Sequence, residues 1–277
     1  MRAAAVQLDS GPDRARNVGA AERLVRAAAA DGAALVVLPE RFELRGTDDD
    51  YVRGAEPLEG PTVERMRVLA RELEIDLVAG SFTERRAGHD KPSNTSVHVG
   101  PDGELRGVYR KIHLFDVTVG ETVYRESDAG EPGDELVVSE AADGTPIGLS
   151  VCYDVRFPEL YRILALRGAV VLTVPANFTR TTGAAHWEVL LRARAIENQA
   201  FVVAPGQTGE QPPGMPAYGN SLIVDPWGEV LVRAPGDGEA FVAAELDLDR
   251  LGEVRERLPS LANRVPGAYR WPQEAPV

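Results

Sequence analysis

Short apolar runs alternate along this chain with longer amphipathic stretches, and this alternation limits the fold more than any other feature. The runs predict buried strands, and apolar residues at three- and four-residue spacing predict helices. Such an order indicates an α/β fold with a mixed sheet covered by helices. The predicted strands are Ala3–Leu8, Ala34–Leu38, Asp76–Ser81, Thr95–Val99, Leu105–Tyr109, Ile147–Val151, Val170–Val174, Phe201–Ala204, Ser221–Val224 and Phe241–Leu246. The predicted helices are Arg16–Ala30, Thr62–Glu74, Pro158–Arg167, His186–Asn198 and Asp249–Leu258.

Glycine and proline mark the turns and loops between these elements. Pro101–Gly103 and Asp225–Gly228 each separate two predicted strands and indicate hairpins. Gly206–Pro216 contains three prolines and three glycines and is the best candidate for a mobile loop. The tail after Pro259 is rich in proline and arginine, so we expect an arm that lies on another surface.

Composition limits the class of protein. The 277 residues, 44% of them hydrophobic, suit one large α/β domain or two small ones. A net charge of -13 argues against nucleic acid and anionic membranes as partners. The apolar runs are too short to cross a bilayer, and the amino-terminal run breaks at Gln7 and Asp9, too early for a signal-peptide core.

The single cysteine excludes an internal disulfide, and we expect a cytoplasmic protein. The four histidines lack paired ligand spacing, and no glycine-rich phosphate loop is present, so we expect neither metal nor cofactor.

Cys152 lies between the predicted strand Ile147–Val151 and a segment that opens a helix. The free N–H groups and positive dipole of a helix start lower the pKa of a thiol and favour the attacking thiolate. The N–H of Tyr153 would also face an oxyanion that develops at the sulfur. The alternative is a buried structural cysteine.

Glu40 and Lys111 also follow predicted strands, Ala34–Leu38 and Leu105–Tyr109. The carboxyl ends of buried strands are where α/β sheets place their sites. Partial burial would raise the pKa of Glu40 and suit it to act as a base, whereas Lys111 would stabilise an oxyanion. A helix cap and a surface lysine are the alternatives. A nucleophile, a base and a cation at one sheet edge are the groups that acyl transfer requires.

At these positions the chain resembles the nitrilase (carbon–nitrogen hydrolase) superfamily, whose signature is Glu–Lys–Cys in that order. The resemblance extends from Ala5 to about Tyr269. It implies a four-layer α-β-β-α sandwich with two mixed sheets and a single domain over residues 1–277, with a C-terminal arm from about residue 259. It also implies a homodimer or a higher homo-oligomer. The matching segments are Leu38–Glu40, Tyr109–Leu114, Val151–Leu160, Ala185–Glu188, Arg192–Gln199 and Ser221–Gly228.

The resemblance also implies roles for individual residues. Cys152 would attack an amide carbonyl, and Glu40 would move the proton from the thiol to the leaving ammonia and later activate water. Lys111 and the Tyr153 N–H would hold the oxyanion. Glu126 falls where many members carry a second glutamate that positions the lysine and the base; a surface glutamate is the alternative.

Within the superfamily the chain is most similar to the branch of omega-amidase and deaminated glutathione amidase. These enzymes release ammonia from a terminal carboxamide on a small acidic molecule, whose carboxylate needs a donor. Arg156 and Arg180 are the candidates, although Arg156 would equally pair with Asp154. Asn177 and Phe178 belong to a loop expected to line the pocket. Asn220 departs from the Tyr-Gly-His-Ser usual in the branch, which leaves the exact substrate open.

Several functions are therefore compatible with the sequence. The first is a thiol amidase for a small carboxylated amide, with nitrile-cleaving and carbamoyl-cleaving enzymes as variants of the same chemistry. The second is a catalytically silent binding protein. The presence of glutamate, lysine and cysteine together argues against it, because a silent protein has no chemical reason to retain all three groups. The third is a redox-sensing thiol protein, which would need a resolving thiol from a partner chain.

Overall fold

The computed structural model describes residues 1–270, in which two β-sheets pack between layers of helices. Short 3-10 turns cover Cys152–Arg156 and Pro266–Ala268. In chain order the other elements are β1 (Arg2–Gln7), α1 (Arg14–Ala30), β2 (Leu35–Val37), α2 (Asp48–Gly54), α3 (Pro61–Leu73), β3 (Asp76–Val78), β4 (Phe82–Glu84), β5 (Ser93–Val99), β6 (Leu105–Arg110), β7 (Asp116–Val119), β8 (Thr122–Arg125), α4 (Glu126–Ala129), β9 (Val138–Glu140), β10 (Pro146–Leu149), α5 (Pro158–Leu166), β11 (Val171–Thr173), α6 (Arg180–Asn198), β12 (Phe201–Ala204), β13 (Leu222–Val224), β14 (Val230–Arg233), β15 (Ala240–Glu245) and α7 (Leu248–Arg257).

Both large sheets are mixed, as predicted. The first has the order β15-β1-β2-β3-β5-β4, with β6 also paired to β5. Its strands β1, β2 and β3 are parallel, and the remaining pairs are antiparallel. The second has the order β14-β13-β12-β11-β10-β9, with β10, β11 and β12 parallel. The parallel strands require the helical crossovers that cover each sheet.

Strand alternation divides the core into layers. Along β1, Ala3 and Ala5 pack in a cluster with the second sheet, whereas Ala4 and Val6 pack in a cluster with α1 and α3. Helices α5 and α6 cover the outer face of the second sheet. Successive side chains of a strand point to opposite faces, so a fully apolar strand is buried from both sides. The four-layer α-β-β-α sandwich is therefore confirmed.

A buried polar bridge also joins the two sheets. His98 on β5 lies with its Nδ1 2.8 Å from the Ser139 hydroxyl on β9 and its Nε2 3.1 Å from Asp76 on β3. The second oxygen of Asp76 accepts a hydrogen bond of 3.0 Å from the Ala142 N–H. The three side chains satisfy one another, as buried polar groups must, and they hold the sheets in register.

The predicted strands and helices are all present near their predicted bounds, and both hairpins are confirmed. One helix begins earlier than predicted, at Arg180 rather than His186, because the Thr179 hydroxyl accepts a hydrogen bond from the Thr182 N–H and caps it. The sequence did not predict the β7–β8 ribbon, whose strands are largely exposed and lack an apolar run.

The described part of the predicted arm, residues 259–270, is largely exposed. The Gln199 side chain anchors its start, because its amide donates to the Leu258 carbonyl at 2.6 Å. The rest of the predicted arm lies outside the described residues. Homo-oligomer formation stays a prediction; α5 and α6 do expose Ile163, Leu166 and Val189. Each helix of residues 1–270 is too short or too polar to cross a bilayer.

A close backbone approach at Gly80 supports the segment that follows β2. Gly80 has φ +32°, and an added Cβ would lie 2.0 Å from the Pro39 carbonyl oxygen. Gly88 has φ +80° but open space around the same position. Substituting each glycine in turn therefore separates the stability lost through backbone strain from the stability lost through a steric clash.

We expect Gly80→Ala to lower the free energy of unfolding by about 3 kcal/mol, because backbone strain and overpacking add. Gly88→Ala, with strain alone, should cost about 1 kcal/mol. Urea unfolding followed by circular dichroism measures both. Equal losses for the two variants would show that the Pro39 contact is unimportant.

Candidate active site

A cavity of about 340 Å³ opens where β2, β6 and β10 are followed by Glu40, Lys111 and Cys152. It therefore lies at the ends of predicted strands, but these strands belong to two sheets rather than to one sheet edge: β2 and β6 to the first sheet and β10 to the second. The other residues on its wall come from α2 and the loop before it, the β7–β8 ribbon with the residue before it and α4 after it, the turn at Cys152, the start of α6 with the loop before it, and the loop 211–216. They are Arg41, Gly46, Thr47, Asp48, Tyr51, Phe115, Val123, Tyr124, Arg125, Glu126, Ala129, Tyr153, Asn177, Phe178, Thr179, Thr182, Gln211, Pro212, Met215 and Pro216.

A tight turn presents the Cys152 sulfur to this cavity. Cys152 has φ +50°, an unusual conformation for a residue with a side chain, and its N–H donates to the Pro175 carbonyl at 2.8 Å. The buried Asp154 carboxylate shapes the turn by accepting hydrogen bonds from the Val151 N–H at 2.8 Å and the Tyr109 hydroxyl at 2.7 Å. The turn is 3-10, and the helix after it begins at Pro158, as predicted.

The expected lowering of the thiol pKa is wrong. Burial raises the pKa of the Cys152 thiol well above its usual value, and the Glu40 charge and a hydrogen bond with Glu40 raise it further. Lys111 and the Asn177 N–H oppose these effects without reversing them. A single 3-10 turn provides too weak a positive field to outweigh burial and an adjacent carboxylate. The thiol therefore rests in its neutral form beside a base.

Lys111 lies between two carboxylates. Its Nζ donates to Glu40 Oε1 at 3.0 Å and to Glu126 Oε2 at 2.7 Å, and its side chain is 2% exposed. Burial alone would lower the pKa of Lys111, but Glu126, Glu40 and Cys152 together raise it above its usual value. Lys111 therefore remains a fixed positive charge at the cavity wall.

The structure places the Glu126 carboxylate beside Lys111 on the cavity wall. Burial would raise the pKa of Glu126, but Lys111 and Arg41 lower it to about 2. The Phe115 N–H donates to its Oε2 at 2.8 Å, and the Asn94 amide donates both to Glu126 at 3.2 Å and to Glu40 at 2.8 Å. Asn94 fixes the two carboxylates relative to each other, although it was not among the predicted site residues. The sequence feature that could have indicated this residue is an amide side chain in a buried strand.

The loop before α6 also contributes to the site. The Asn177 N–H donates to Glu40 Oε2 at 2.8 Å, so the backbone rather than the side chain makes this contact. Phe178 lines the cavity with its ring centroid 4.9 Å from that of Trp187. Tyr153, the predicted oxyanion donor, lies on the same wall.

The two arginines predicted to bind a substrate carboxylate do not line the cavity. The Arg156 guanidinium lies 5.4 Å from the Phe178 ring centroid and contacts His186 Nδ1 at 3.2 Å. Its alternative pairing with Asp154 is not observed either, because His113, Tyr109 and Val151 occupy that carboxylate. Arg180, the first residue of α6, is exposed and pairs with Asp237 at 3.2 Å.

Two other arginines, which were not among the predicted site residues, do line the cavity, and each is adjacent in the chain to a glutamate of the site. Arg41 directly follows Glu40, and Arg125 directly precedes Glu126. Arg41 is buried, with its Nη2 3.6 Å from Glu126 Oε1, whereas Arg125 is exposed at the end of the ribbon. Among residues 1–270, no group of three or more histidine, cysteine, aspartate or glutamate side chains is arranged to hold a metal ion.

Asn220 lies outside the cavity wall. It adopts φ +56°, which asparagine tolerates better than most residues, and its side chain donates to the Tyr218 carbonyl at 2.7 Å. Its own carbonyl accepts a hydrogen bond of 2.9 Å from the Trp187 indole. The departure from the usual histidine thus falls on a residue that supports the loop behind Trp187.

Several known proteins resemble this chain in sequence and in fold. The carbon–nitrogen hydrolase family model matches residues 2–256. Deaminated glutathione amidase of Synechocystis is 41% identical over 95% of this chain and 97% of its own, and omega-amidase NIT2 of Xenopus tropicalis is 39% identical over 97% and 96%. The crystal structure of Saccharomyces cerevisiae Nit3, a member of branch 10 of the nitrilase superfamily, superposes with a TM-score of 0.85 at 34% identity and covers 94% of each chain. This chain therefore belongs to the carbon–nitrogen hydrolase family and is a hydrolase of carbon–nitrogen bonds with amidase relatives.

Proposed function

We propose that this protein is a thiol-dependent amidase that cleaves the terminal carboxamide of a small carboxylated molecule and releases ammonia. The observation that carries the proposal is the contact of Lys111 with Glu40 at 3.0 Å beside the Cys152 thiol, on the wall of one cavity. These groups are the base, the cation and the nucleophile that amide hydrolysis requires.

Acylation begins from the neutral thiol. Glu40 accepts the thiol proton while Cys152 Sγ bonds to the amide carbonyl carbon, which gives a tetrahedral oxyanion. Lys111 and the Tyr153 N–H stabilise that oxyanion. Glu40 then returns the proton to the nitrogen, the carbon–nitrogen bond breaks, and ammonia leaves a thioester on Cys152. The raised pKa of the Cys152 thiol explains why a base must lie beside it.

Hydrolysis of the thioester repeats these steps with water as the nucleophile. Glu40 accepts a proton from water as its oxygen attacks the carbonyl carbon, and the same donors stabilise the second oxyanion. Collapse breaks the carbon–sulfur bond, releases a carboxylic acid and returns the proton to Cys152. Asn94 and the Asn177 N–H hold both oxygens of Glu40, so the base keeps its orientation through both halves of the cycle.

The substrate class follows from the relatives and the cavity. The names deaminated glutathione amidase and omega-amidase indicate amides of small molecules. A cavity of about 340 Å³ accommodates a ligand of that size. Nitrile and carbamoyl substrates would use the same groups, and a substrate panel separates them. A silent binding protein is disfavoured because the ordered contacts of Glu40, Lys111 and Glu126 serve no evident purpose in such a protein.

We expect Cys152→Ala to reduce ammonia release by at least about 10⁴-fold, because Cys152 is the only thiol in the sequence and lies on the cavity wall with Glu40. The assay panel comprises 2-oxoglutaramate and simple primary amides, which release ammonia on hydrolysis. Acid-quenched wild-type protein should gain the mass of one acyl group, and the variant should not. Undiminished turnover by a folded Cys152→Ala protein would exclude the mechanism.

Glu40→Gln should have two opposite effects, one on the reactivity of the thiol, through the lost charge, and one on amide hydrolysis, through the lost base. Removing the negative charge lowers the pKa of the Cys152 thiol, so iodoacetamide should alkylate the variant several-fold faster at pH 7. Amide hydrolysis should fall by about 10²-fold or more because the base is lost. Alkylation rates between pH 5 and 10 give the apparent pKa. Glu43→Gln, another buried carboxylate outside the cavity wall, is the control. An unchanged apparent pKa in Glu40→Gln would contradict the proposed electrostatics.

Glu126→Gln should lower the free energy of unfolding by about 3 kcal/mol at pH 7, because it breaks a buried ion pair with Lys111. The pKa of Glu126 is lowered in the folded protein, so its contribution to stability is complete above its ordinary value of 4.5 and is lost as the pH falls through about 2. Denaturant unfolding of both proteins at several pH values measures this. A difference between them that does not depend on pH in that interval would argue against an ionised Glu126.

A further inference from the structure

Arg41 is a second buried cation on the cavity wall, and the mechanism above does not use it. Its guanidinium carbon lies 4.1 Å from the centroid of the Tyr51 ring. Its Nη1 donates to the Thr83 hydroxyl at 2.6 Å, and its backbone N–H donates to the Ser81 hydroxyl at 3.0 Å. The stacking on Tyr51 and the hydrogen bond to Thr83 fix the plane of the guanidinium before any ligand arrives, and the Ser81 contact fixes the backbone.

The second terminal nitrogen of Arg41 remains available to a ligand. Nη2 lies 3.6 Å from Glu126 Oε1, which is beyond hydrogen-bonding distance. Glu126 already accepts hydrogen bonds from Lys111, Asn94 and the Phe115 N–H. Within residues 1–270, Nη2 donates no hydrogen bond, although the side chain is only 8% exposed.

We propose that Arg41 binds the carboxylate of the substrate and thereby selects carboxylated amides over neutral ones. The inference rests on the proposed function and adds a specificity-determining residue to it. A guanidinium presents paired donors that match the two oxygens of a carboxylate, and its fixed plane reduces the entropy lost on binding. The partner group is a carboxylate because a buried cation favours an anion that can accept its free N–H groups.

The charges around the cavity favour this role. Near the thiol, the carboxylates of Glu40 and Glu126 face the cations Lys111 and Arg41. Without Arg41 this group would carry a net negative charge and would repel an acidic substrate. Asp48 also lines the cavity, but no ion pair within 4 Å joins it to Arg41 in the described part of the chain. Arg41 therefore balances the nearby carboxylates and still presents Nη2 to a substrate carboxylate.

The other arginines are weaker candidates for this contact. Arg125 is exposed and its side chain donates to the Tyr124 carbonyl, so its guanidinium is not held as that of Arg41 is. Arg156 and Arg180 lie off the cavity wall. Arg41 alone combines burial, a fixed guanidinium plane and a place beside Glu40.

Two matched amides test the proposal. Glutaramate carries a carboxylate at the end opposite its carboxamide, and pentanamide has a methyl group in its place. Arg41→Gln should lower kcat/KM for glutaramate by about 10- to 100-fold, mainly through KM, because a charged hydrogen bond is lost. Hydrolysis of pentanamide should change less than about threefold. Arg41→Lys should recover part of the glutaramate activity, because it keeps the charge without the planar pair of donors.

Arg53→Gln is the matched control. Arg53 lies on α2, is exposed, pairs with Asp49 and Asp50, and does not line the cavity. Both substrates should be hydrolysed by this variant as by wild type. Thermal midpoints of all variants report folding. Gln and Lys keep a side chain at the φ of +55° that Arg41 adopts, so they add no new class of backbone strain.

The outcomes distinguish this proposal from the proposed function. Equal losses for glutaramate and pentanamide in Arg41→Gln would overturn it and assign Arg41 to the support of Glu126. A wild-type protein that shows no preference for glutaramate over pentanamide would also overturn it. If no amide is hydrolysed, the proposed function fails by itself. In that case, calorimetry still measures whether glutaramate binds to the Cys152→Ala protein. Adding Arg41→Gln should weaken this binding by about tenfold or more if Arg41 binds the carboxylate. Unchanged binding would overturn the proposal.

Discussion

The site depends on one ammonium group held between two carboxylates in the interior. A buried charge is costly unless it is paired and hydrogen-bonded, and Lys111 meets this condition only with Glu40 and Glu126 together. The three residues come from the loop after β2, the end of β6 and the start of α4. Their mutual attraction therefore fixes the relative positions of three separate chain segments, and these segments form one side of the cavity.

The nucleophile is positioned by a different constraint. Asp154 accepts hydrogen bonds from Tyr109, Val151 and His113, and so ties the turn after β10 in the second sheet to β6 in the first. Tyr109 and Lys111 lie two residues apart on one strand face, so the same strand end orients both the cysteine turn and the cation. The reactive groups therefore converge because a polar contact crosses between the two sheets. This also explains why a buried aspartate without a chemical role stands two residues after Cys152.

The order of strands and helices, and the strand-end positions of Glu40, Lys111 and Cys152, could be predicted from the sequence. Periodicity and the rule that α/β sites gather at strand ends suffice for these. The two-sheet arrangement came only from the resemblance. The contacts of Arg156 and Asn94 could not be predicted, because a long side chain on a turn, or an amide inside a strand, selects its partner in three dimensions. The direction of the Cys152 pKa shift was wrong because a local helix-start argument omits burial and the charge of Glu40.

The cluster around Lys111 also joins catalysis to substrate choice. Glu126 contacts Lys111 on one side and lies 3.6 Å from Arg41 on the other, while Arg41 directly follows Glu40 in the chain. A substrate carboxylate bound to Arg41 would weaken the attraction between Arg41 and Glu126. The attraction between Glu126 and Lys111 would then be stronger. The cation that faces the oxyanion and the cation proposed to face the substrate acid thus share one counter-ion.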